Sequence, residues 1–230
     1  MKVVILAGGL GSRLSKYTNR VPKPMVKINK TPIIEHIMSI YKKYGFNDFI
    51  IAAGYKQEVI KQYFQKNSNY KVEVVDTGEE TLTGGRILRL KKKLNNKTFM
   101  LTYGDGLADI NLKKLLEFHK KNKKMVTITA VRPPSSFGVM EIKKNLVKNF
   151  KEKIQMTQGW INGGFFVIEP KFLKFIRNDY TILERDPLEK ASSANELVAY
   201  KHKKFWHCMD TIKDKEGLEK LIQQNNASWL

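Results

Sequence analysis

Cysteine is almost missing from this chain. Cys208 is the only one in 230 residues, which excludes an intrachain disulfide, gives no sign of an oxidising compartment and makes the cytoplasm the expected location. Long apolar runs are missing too. No stretch approaches the roughly 18 residues that cross a bilayer, so no membrane partner is expected. The apolar run Val3–Ala7 meets glycine after five residues and reads as a buried strand rather than a signal peptide. Acidic residues are scarce: 22 Asp and Glu face 42 Lys and Arg, a net charge of +20. Such an excess could bind polyanions. However, the lysine runs at 91–93, 120–121, 123–124 and 143–144 have no interleaved aromatic residues to stack bases. A solvated surface is therefore expected, with no nucleic-acid partner. The 4 histidines lack a metal-ligand spacing such as His-Glu-x-x-His, so His36, His119, His202 and His207 read as structural. Phe165, Phe166, Phe205 and Trp206 read as core, whereas Trp160 could be core or base-stacking. No repeat, low-complexity tract or long linker interrupts the chain, which favours one continuous domain over 1–230.

What is present is an alternation of strand-like and helix-like segments. Strands are expected over 3–7, 49–53, 71–76, 98–103 and 125–131, and helices over 32–44, 57–65, 85–94 and 111–121. The first helix has Thr31 as its expected N-cap, Pro32 at its first position and Gly45 just past its end. Ile33, Ile34, Ile37, Ile40 and Tyr41 recur on its one face. This order predicts an α/β fold with a Rossmann-like, mostly parallel wound sheet flanked by helices. From Phe137 the pattern changes to a smaller β-rich region, with short strands over 138–142 and 160–168 separated by a polar loop. A helix over 187–193, a strand over 197–202 and a last helix over 212–224 complete the chain.

The first strand runs into Gly8-Gly9-Leu10-Gly11-Ser12-Arg13-Leu14. Three glycines let the backbone approach a ligand and aim amides at phosphate oxygens, as a triphosphate requires. No Gly-Lys-Ser/Thr follows, so this is not a Walker loop, and the third glycine of a dinucleotide fingerprint is absent. A tight turn beside two surface cations is the plainer reading of the loop alone. Arg13 lies within it, and Lys23 follows between Pro22 and Pro24; two such cations can offset phosphate charge in a transition state. Asp105, between Gly104 and Gly106, falls at the C-terminal edge of a strand, where open α/β sheets bind ligands. A carboxylate there suits Mg²⁺. Asp210 by itself reads as the N-cap of the last helix, and metal ligation can coexist with that role.

In these strings and others the chain resembles the sugar-phosphate nucleotidyltransferase family, and within it the glucose-1-phosphate cytidylyltransferases. The likeness runs nearly end to end: Leu6 to Leu14, Lys23-Pro24-Met25, Ala53 to Lys56, Asp76 to Arg86, Thr102 to Gly106, Trp160 to Phe166 and Met209-Asp210-Thr211. The string from Asp76 to Arg86 points to the cytidylyltransferase branch. The resemblance implies a cytidylyltransferase that moves CMP from CTP to a small phosphorylated acceptor in cell-surface polysaccharide or capsule biosynthesis. It implies that Leu6, Ala7, Gly8, Gly9, Gly11, Ser12, Arg13, Lys23, Thr81, Gly85, Arg86 and Gly104 bind the nucleotide, with Arg13, Lys23 and Asp105 catalytic. Asp105 and Asp210 then hold Mg²⁺, and Lys153, Asn162, Gly163, Glu184 and Arg185 bind the acceptor. For Glu184 and Arg185 a structural ion pair is the alternative. On this reading residues up to about 135 form the CTP-binding half and those from about 136 the acceptor-side half, and a homo-oligomer is expected.

Three departures from the family pattern stand out. Ser12 replaces a threonine, keeping the hydroxyl, and Ile154 replaces a proline next to Lys153. Between Phe64 and Val72 the chain is short where glucose-1-phosphate cytidylyltransferases carry a longer segment beside the sugar. The shorter wall leaves room for a non-sugar phosphate, for example a phosphorylated amino acid amide such as phosphoglutamine. Two other classes compete: a basic nucleic-acid-binding protein, and a silent nucleotide sensor. Joint retention of Arg13, Lys23, Asp105 and Asp210 argues against the sensor.

Overall fold

The computed structural model describes residues 1–66, 69–133, 139–151 and 159–230. Strand β1 (Lys2–Ala7) shows why its sequence is unbroken apolar. Val3, Ile5 and Ala7 enter one core cluster, while Val4 and Leu6 enter a second. Side chains alternate along a strand, so a strand covered on both faces needs apolar residues at every position. Strand β2 (Asp48–Ala53) divides in the same way, with Phe49, Ile51 and Ala53 against Ile50 and Ala52.

The other strands are β3 (Lys71–Asp76), β4 (Phe99–Tyr103), β5 (Gly106–Ala108), β6 (Val126–Val131), β7 (Val139–Lys143), β8 (Leu146–Lys151), β9 (Ile161–Ile168), β10 (Leu197–Lys201) and β11 (Trp206–Cys208). Seven of them form one sheet in the order β10-β6-β9-β4-β1-β2-β3. Its neighbours pair in parallel except at β9, which runs antiparallel to both β4 and β6. Helices α1 (Ile33–Lys42), α2 (Gln57–Lys66), α3 (Thr83–Arg89), α4 (Leu112–Asn122), α5 (Asp186–Ser193) and α6 (Ile212–Gln223) flank it. The chain is thus α/β with a mostly parallel wound sheet, as its alternation implied. Strands from before and after residue 135 interleave in that sheet, because β9 sits between β4 and β6. In register, Leu6 faces Ala52 on one side and Tyr103 on the other. The C-terminal ends of β1, β2 and β4 therefore lie together and bring Gly8, Gly54 and Gly104 to one edge. Among the described residues no helix is long and apolar enough to cross a membrane.

Several local expectations change. Thr31 does not cap α1: Thr31–Pro32 pairs with Lys27–Ile28, Pro32 takes the N-cap position without a side-chain cap, and Ile33 N donates to Val26 O at 3.0 Å. The helix expected over 85–94 begins at Thr83 and stops at Arg89, the chain then turning until Asn95 and Asn96 adopt positive φ. The polar loop expected after residue 142 contains β8, hairpinned to β7 through Lys144 at φ 54. Leu146 and Val147 are exposed, so that strand carries no buried-face signature. The pairing of β5 with β11 was not foreseen, each strand being only three residues long. Asp210 is not the cap of α6. Thr211 is, through a capping box in which its hydroxyl accepts from Asp214 N and the Asp214 carboxylate accepts from Thr211 N. That leaves the Asp210 carboxylate free for other partners.

Candidate active site

The glycine loop leaves β1 where Leu6 and Ala7 are buried and passes through buried Gly8 to exposed Gly9, Ser12 and Arg13. Gly11 is in the left-handed region at φ 64, and a Cβ there would come within 2.9 Å of the Lys23 Cβ and 3.0 Å of Thr18 Cγ2. Only glycine meets both demands. The stem of Lys23 consequently runs directly against the loop. Lys23 itself is fixed by a turn in which Met25 N donates to Pro22 O at 2.8 Å and Val26 N donates to Lys23 O at 3.0 Å.

The Lys23 ammonium donates to Asp105 Oδ2 and to Asp210 Oδ1, each at 2.6 Å, and Arg13 Nη1 reaches Asp210 Oδ2 at 3.1 Å. Residues 197 positions apart meet here because β5 pairs with β11 and Met209 N donates to Asp105 O at 2.9 Å. Burial by itself would lower the Lys23 pKa, but Asp105 and then Asp210 outweigh it and hold the group raised. Burial likewise would raise Asp210, yet Lys23 and Arg13 hold it below its ordinary value. Both ions are therefore charged at neutral pH. Cys208 completes the cluster: its sulfur and one oxygen each of Asp105 and Asp210 lie within 4.8 Å of one another. Burial, then the two carboxylates, push this thiol well up, so it stays protonated. The cluster offers two hard oxygen ligands to a divalent cation. Gly104 lets Asp105's strand end pack closely, since a Cβ would meet Pro24 Cγ at 2.8 Å and Leu6 O at 3.0 Å.

Arg86 lies deeper than its expected role suggested. It is 4% exposed, and its guanidinium donates to Gly8 O, Ala53 O, Gly78 O and Glu79 O and to the Thr77 hydroxyl, at 2.7 to 3.2 Å. One buried cation thus ties the loops after β1, β2 and β3 together. Burial, followed by Arg89, lowers its pKa against the opposing charge of Asp76, and four main-chain carbonyls take its hydrogen bonds. Gly8 and Gly54 are glycines for this reason: a Cβ would sit 2.0 Å and 2.6 Å from guanidinium atoms. The third loop is held further by Asp76, which accepts from Gly78 N at 2.8 Å and Gln57 Nε2 at 2.6 Å. Thr81 is buried beside Gly78. Gly85 packs elsewhere, where a Cβ would lie 2.3 Å from Asp179 O, so it fits α3 against that segment.

On the other side, Tyr103 joins two acceptor-side candidates that the sequence left unconnected. Its hydroxyl donates to Glu184 Oε1 and accepts from Asn162 Nδ2 at 3.0 Å. Glu184 also accepts from Thr83 Oγ1 at 2.7 Å. This replaces the suggested Glu184–Arg185 pair; Arg185 is exposed and makes no side-chain bond among the described residues. Gly163 O accepts from Trp206 Nε1 at 2.8 Å. Lys153 lies outside the described residues. Tyr103 lies within the Thr102–Gly106 string, but nothing in the linear order marks it as the link between Asn162 and Glu184. The histidines are structural: His119 contacts Thr127 and Glu169, His202 faces Asp109 at 3.0 Å and His207 faces Asp214 at 3.4 Å. Phe165 and Phe166 are core, Phe205 and Trp206 only partly buried, and Trp160 lies under the cations of Arg132 and Lys201.

The chain is similar to known proteins along its whole length. The nucleotidyl transferase family model matches residues 2–214. Glucose-1-phosphate cytidylyltransferase of Salmonella typhimurium is 42% identical over 253 aligned positions, which take in 100% of this chain and 98% of that protein. The probable glucose-1-phosphate cytidylyltransferase of Bacillus subtilis is 40% identical over 252, covering 100% and 99%. HddC from Yersinia pseudotuberculosis, solved complexed with GMP-PN, superposes with a TM-score of 0.77 at 26% identity, over 96% of this chain and 99% of that one. The 253 aligned positions exceed the 230 residues here by 23, so the Salmonella relative carries residues that this chain lacks. The chain belongs to the nucleotidyl transferase family.

Proposed function

We propose that this nucleotidyl transferase uses Mg²⁺ to transfer CMP from CTP to a sugar 1-phosphate, giving a CDP-linked product and pyrophosphate for cell-surface polysaccharide assembly. The observation that carries the reading is the contact of Lys23 with Asp105 and Asp210, each at 2.6 Å, beside the Gly8–Ser12 loop. Identity of 42% and 40% to two proteins named glucose-1-phosphate cytidylyltransferase, along the whole chain, supports CTP and the sugar phosphate.

In the reaction an acceptor phosphate oxygen forms a bond to the α-phosphorus of CTP while the bond to the bridging oxygen of the β-phosphate breaks. The electron pair leaves with pyrophosphate. A phosphate oxygen is already anionic at neutral pH, so the protein supplies alignment and charge rather than a base. Amides of the glycine loop take the outer phosphates, Arg13 and Lys23 offset charge on the reacting groups, and Arg86 holds the three loops in register. Thr81 borders the nucleoside, while Asn162, Glu184 and Tyr103 face the acceptor. Asp105 and Asp210 would hold Mg²⁺, which supplies neutralisation of phosphate charge.

The missing 23 positions favour a second reading for the acceptor alone, a smaller or non-sugar phosphate such as phosphoglutamine. Helix α2 ends at Lys66 and β3 begins at Lys71, so the connection that could wall that side is short. A pyrophosphate-release screen of CTP, ATP, GTP and UTP against sugar 1-phosphates and non-sugar phosphates decides. CTP-dependent release is expected. Release with another triphosphate in preference to CTP, or none with any pair, contradicts the reading.

A further inference from the structure

We infer that Thr83 is a positioning residue for the acceptor: its hydroxyl, carried on the same helix as Arg86, sets the Glu184 carboxylate and through it Tyr103 and Asn162. The inference rests on Asn162, Glu184 and Tyr103 facing the acceptor, as proposed above.

The hydrogen-bond chain can run in one direction only. A carboxylate accepts and does not donate, so the Tyr103 hydroxyl gives its proton to Glu184 Oε1 and accepts from Asn162 Nδ2 at 3.0 Å. The Asn162 amide is turned the right way because its Oδ1 accepts from Gly164 N at 2.8 Å. Burial, then the charge of Glu184, push the Tyr103 phenol well up, so its proton stays in place. On the far side of the carboxylate, Thr83 Oγ1 donates to Glu184 Oε2 at 2.7 Å and accepts from Leu183 N at 2.9 Å. The Leu183 amide takes a lone pair of that hydroxyl and leaves its proton for Glu184. Among the described residues Glu184 has no other donor, so without Thr83 it would hang from Tyr103 by one oxygen. Glu184 is exposed, and an exposed acid held at one point keeps much of its rotamer freedom. The branched Cβ of threonine restricts the first side-chain torsion and so presents the hydroxyl in a narrow range of directions.

The start of α3, which bears Thr83, is firmly seated. Leu82 N donates to Asp179 O at 2.8 Å, Gly84 N donates to Thr181 O at 2.9 Å, and Arg89 reaches the two Asp179 oxygens at 2.9 and 2.7 Å. A Cβ at Gly84 or Gly85 would come within 2.7 Å of Thr181 O or 2.3 Å of Asp179 O, so α3 lies directly against the segment that leads to Glu184. One short helix thus serves both sides of the site: Arg86 gathers the donor loops, and Thr83, one turn earlier, holds the acceptor-side acid.

The test is steady-state pyrophosphate release with CTP, Mg²⁺ and glucose 1-phosphate. Thr83→Val keeps the shape and removes the hydroxyl; it should raise KM for glucose 1-phosphate about fivefold and leave KM for CTP within about twofold. Thr83→Ser restores the hydroxyl and should return both constants to the wild-type values. On a Glu184→Ala background the valine exchange should change nothing further, because Thr83 acts through that acid. Carbodiimide-driven amidation of Glu184, read by mass spectrometry without substrates, gives a second measure. It should run roughly threefold faster or more in Thr83→Val than in the wild type or Thr83→Ser, with Glu189 unchanged, because a carboxylate that loses a donor is less held. Equal rises in both KM values, no rescue by serine, effects that multiply with Glu184→Ala, or unchanged amidation overturn the inference. Wild-type protein that releases no pyrophosphate with any pair of triphosphate and acceptor contradicts the proposed reaction instead, and the amidation rates then decide the role of Thr83.

Discussion

On the nucleotide side, Arg86 grips Gly8, Ala53, Gly78 and Glu79 through main-chain carbonyls and is itself 4% exposed. On the acceptor side, Tyr103, Asn162 and Glu184 hold one another through side-chain bonds, and Glu184 is exposed. The two sides therefore differ in what a substitution can alter. Apart from Arg86 itself and the glycines that its guanidinium demands at 8 and 54, the first rim is set by main-chain carbonyls, whose positions depend little on the side chains beside them. A rim built from side chains is rewired by a single exchange. On the proposed function, donor choice would then rest on main-chain positions and acceptor choice on a few replaceable side chains.

Asp105 is a proposed metal ligand held by Lys23 at 2.6 Å, so Asp105→Ala should bring the largest loss, roughly a hundredfold or more in kcat, with circular dichroism unchanged. Near-normal turnover would remove Asp105 from the site. Arg86→Met should rank next. It removes three buried hydrogen bonds, to Gly8 O, Ala53 O and the Thr77 hydroxyl, at about 1 kcal/mol or more each, so a stability loss of roughly 3 kcal/mol or more is expected in urea titrations. KM for CTP should rise with it, and a variant as stable as the parent would dissolve the contrast between the rims. Tyr103→Phe and Glu184→Gln should be milder, raising KM for the acceptor by about tenfold while KM for CTP stays constant. An equal rise in both constants would show that the rims are not separable.

The smallest effect lies outside both rims. Burial lowers the pKa of His36, which sits on α1 at 6% exposure, edge-on to Trp229. Its native ring refuses a proton that the unfolded chain accepts near pH 6.5. Its contribution to stability is therefore complete above about pH 6.5 and is lost as the pH falls below it. The thermal midpoint should drop between about pH 7 and pH 5, and less so in His36→Gln. Parallel slopes for the two proteins would discount His36.

The fold was legible where burial on both sheet faces forces an unbroken apolar run, as in β1 and β2. It was illegible where a segment has no buried face, as in β8 with Leu146 and Val147 exposed, or where a strand is three residues long, as in β5 and β11. The candidate site was legible as loops and lone charges: the glycine loop and Asp105 follow the ends of β1 and β4, and Arg13 and Lys23 stand in the short turns after the loop. Two things were hidden. A lone Asp210 before a helix looks like a cap, and only the capping box of Thr211 with Asp214 shows that its carboxylate turns instead to Lys23 and Arg13. The resemblance implies a nucleotide-binding Arg86, and only the folded chain shows three loops converging on it.

The most direct test of the central claim is calorimetric titration of the protein with CTP in the presence of Mg²⁺, alongside the same titration of Asp105→Ala and of ATP, GTP and UTP. Saturable binding of one CTP per chain, weakened in the variant and weaker for the other nucleotides, is the predicted result. Absence of CTP binding, or affinity indifferent to Asp105 and to the base, would contradict it.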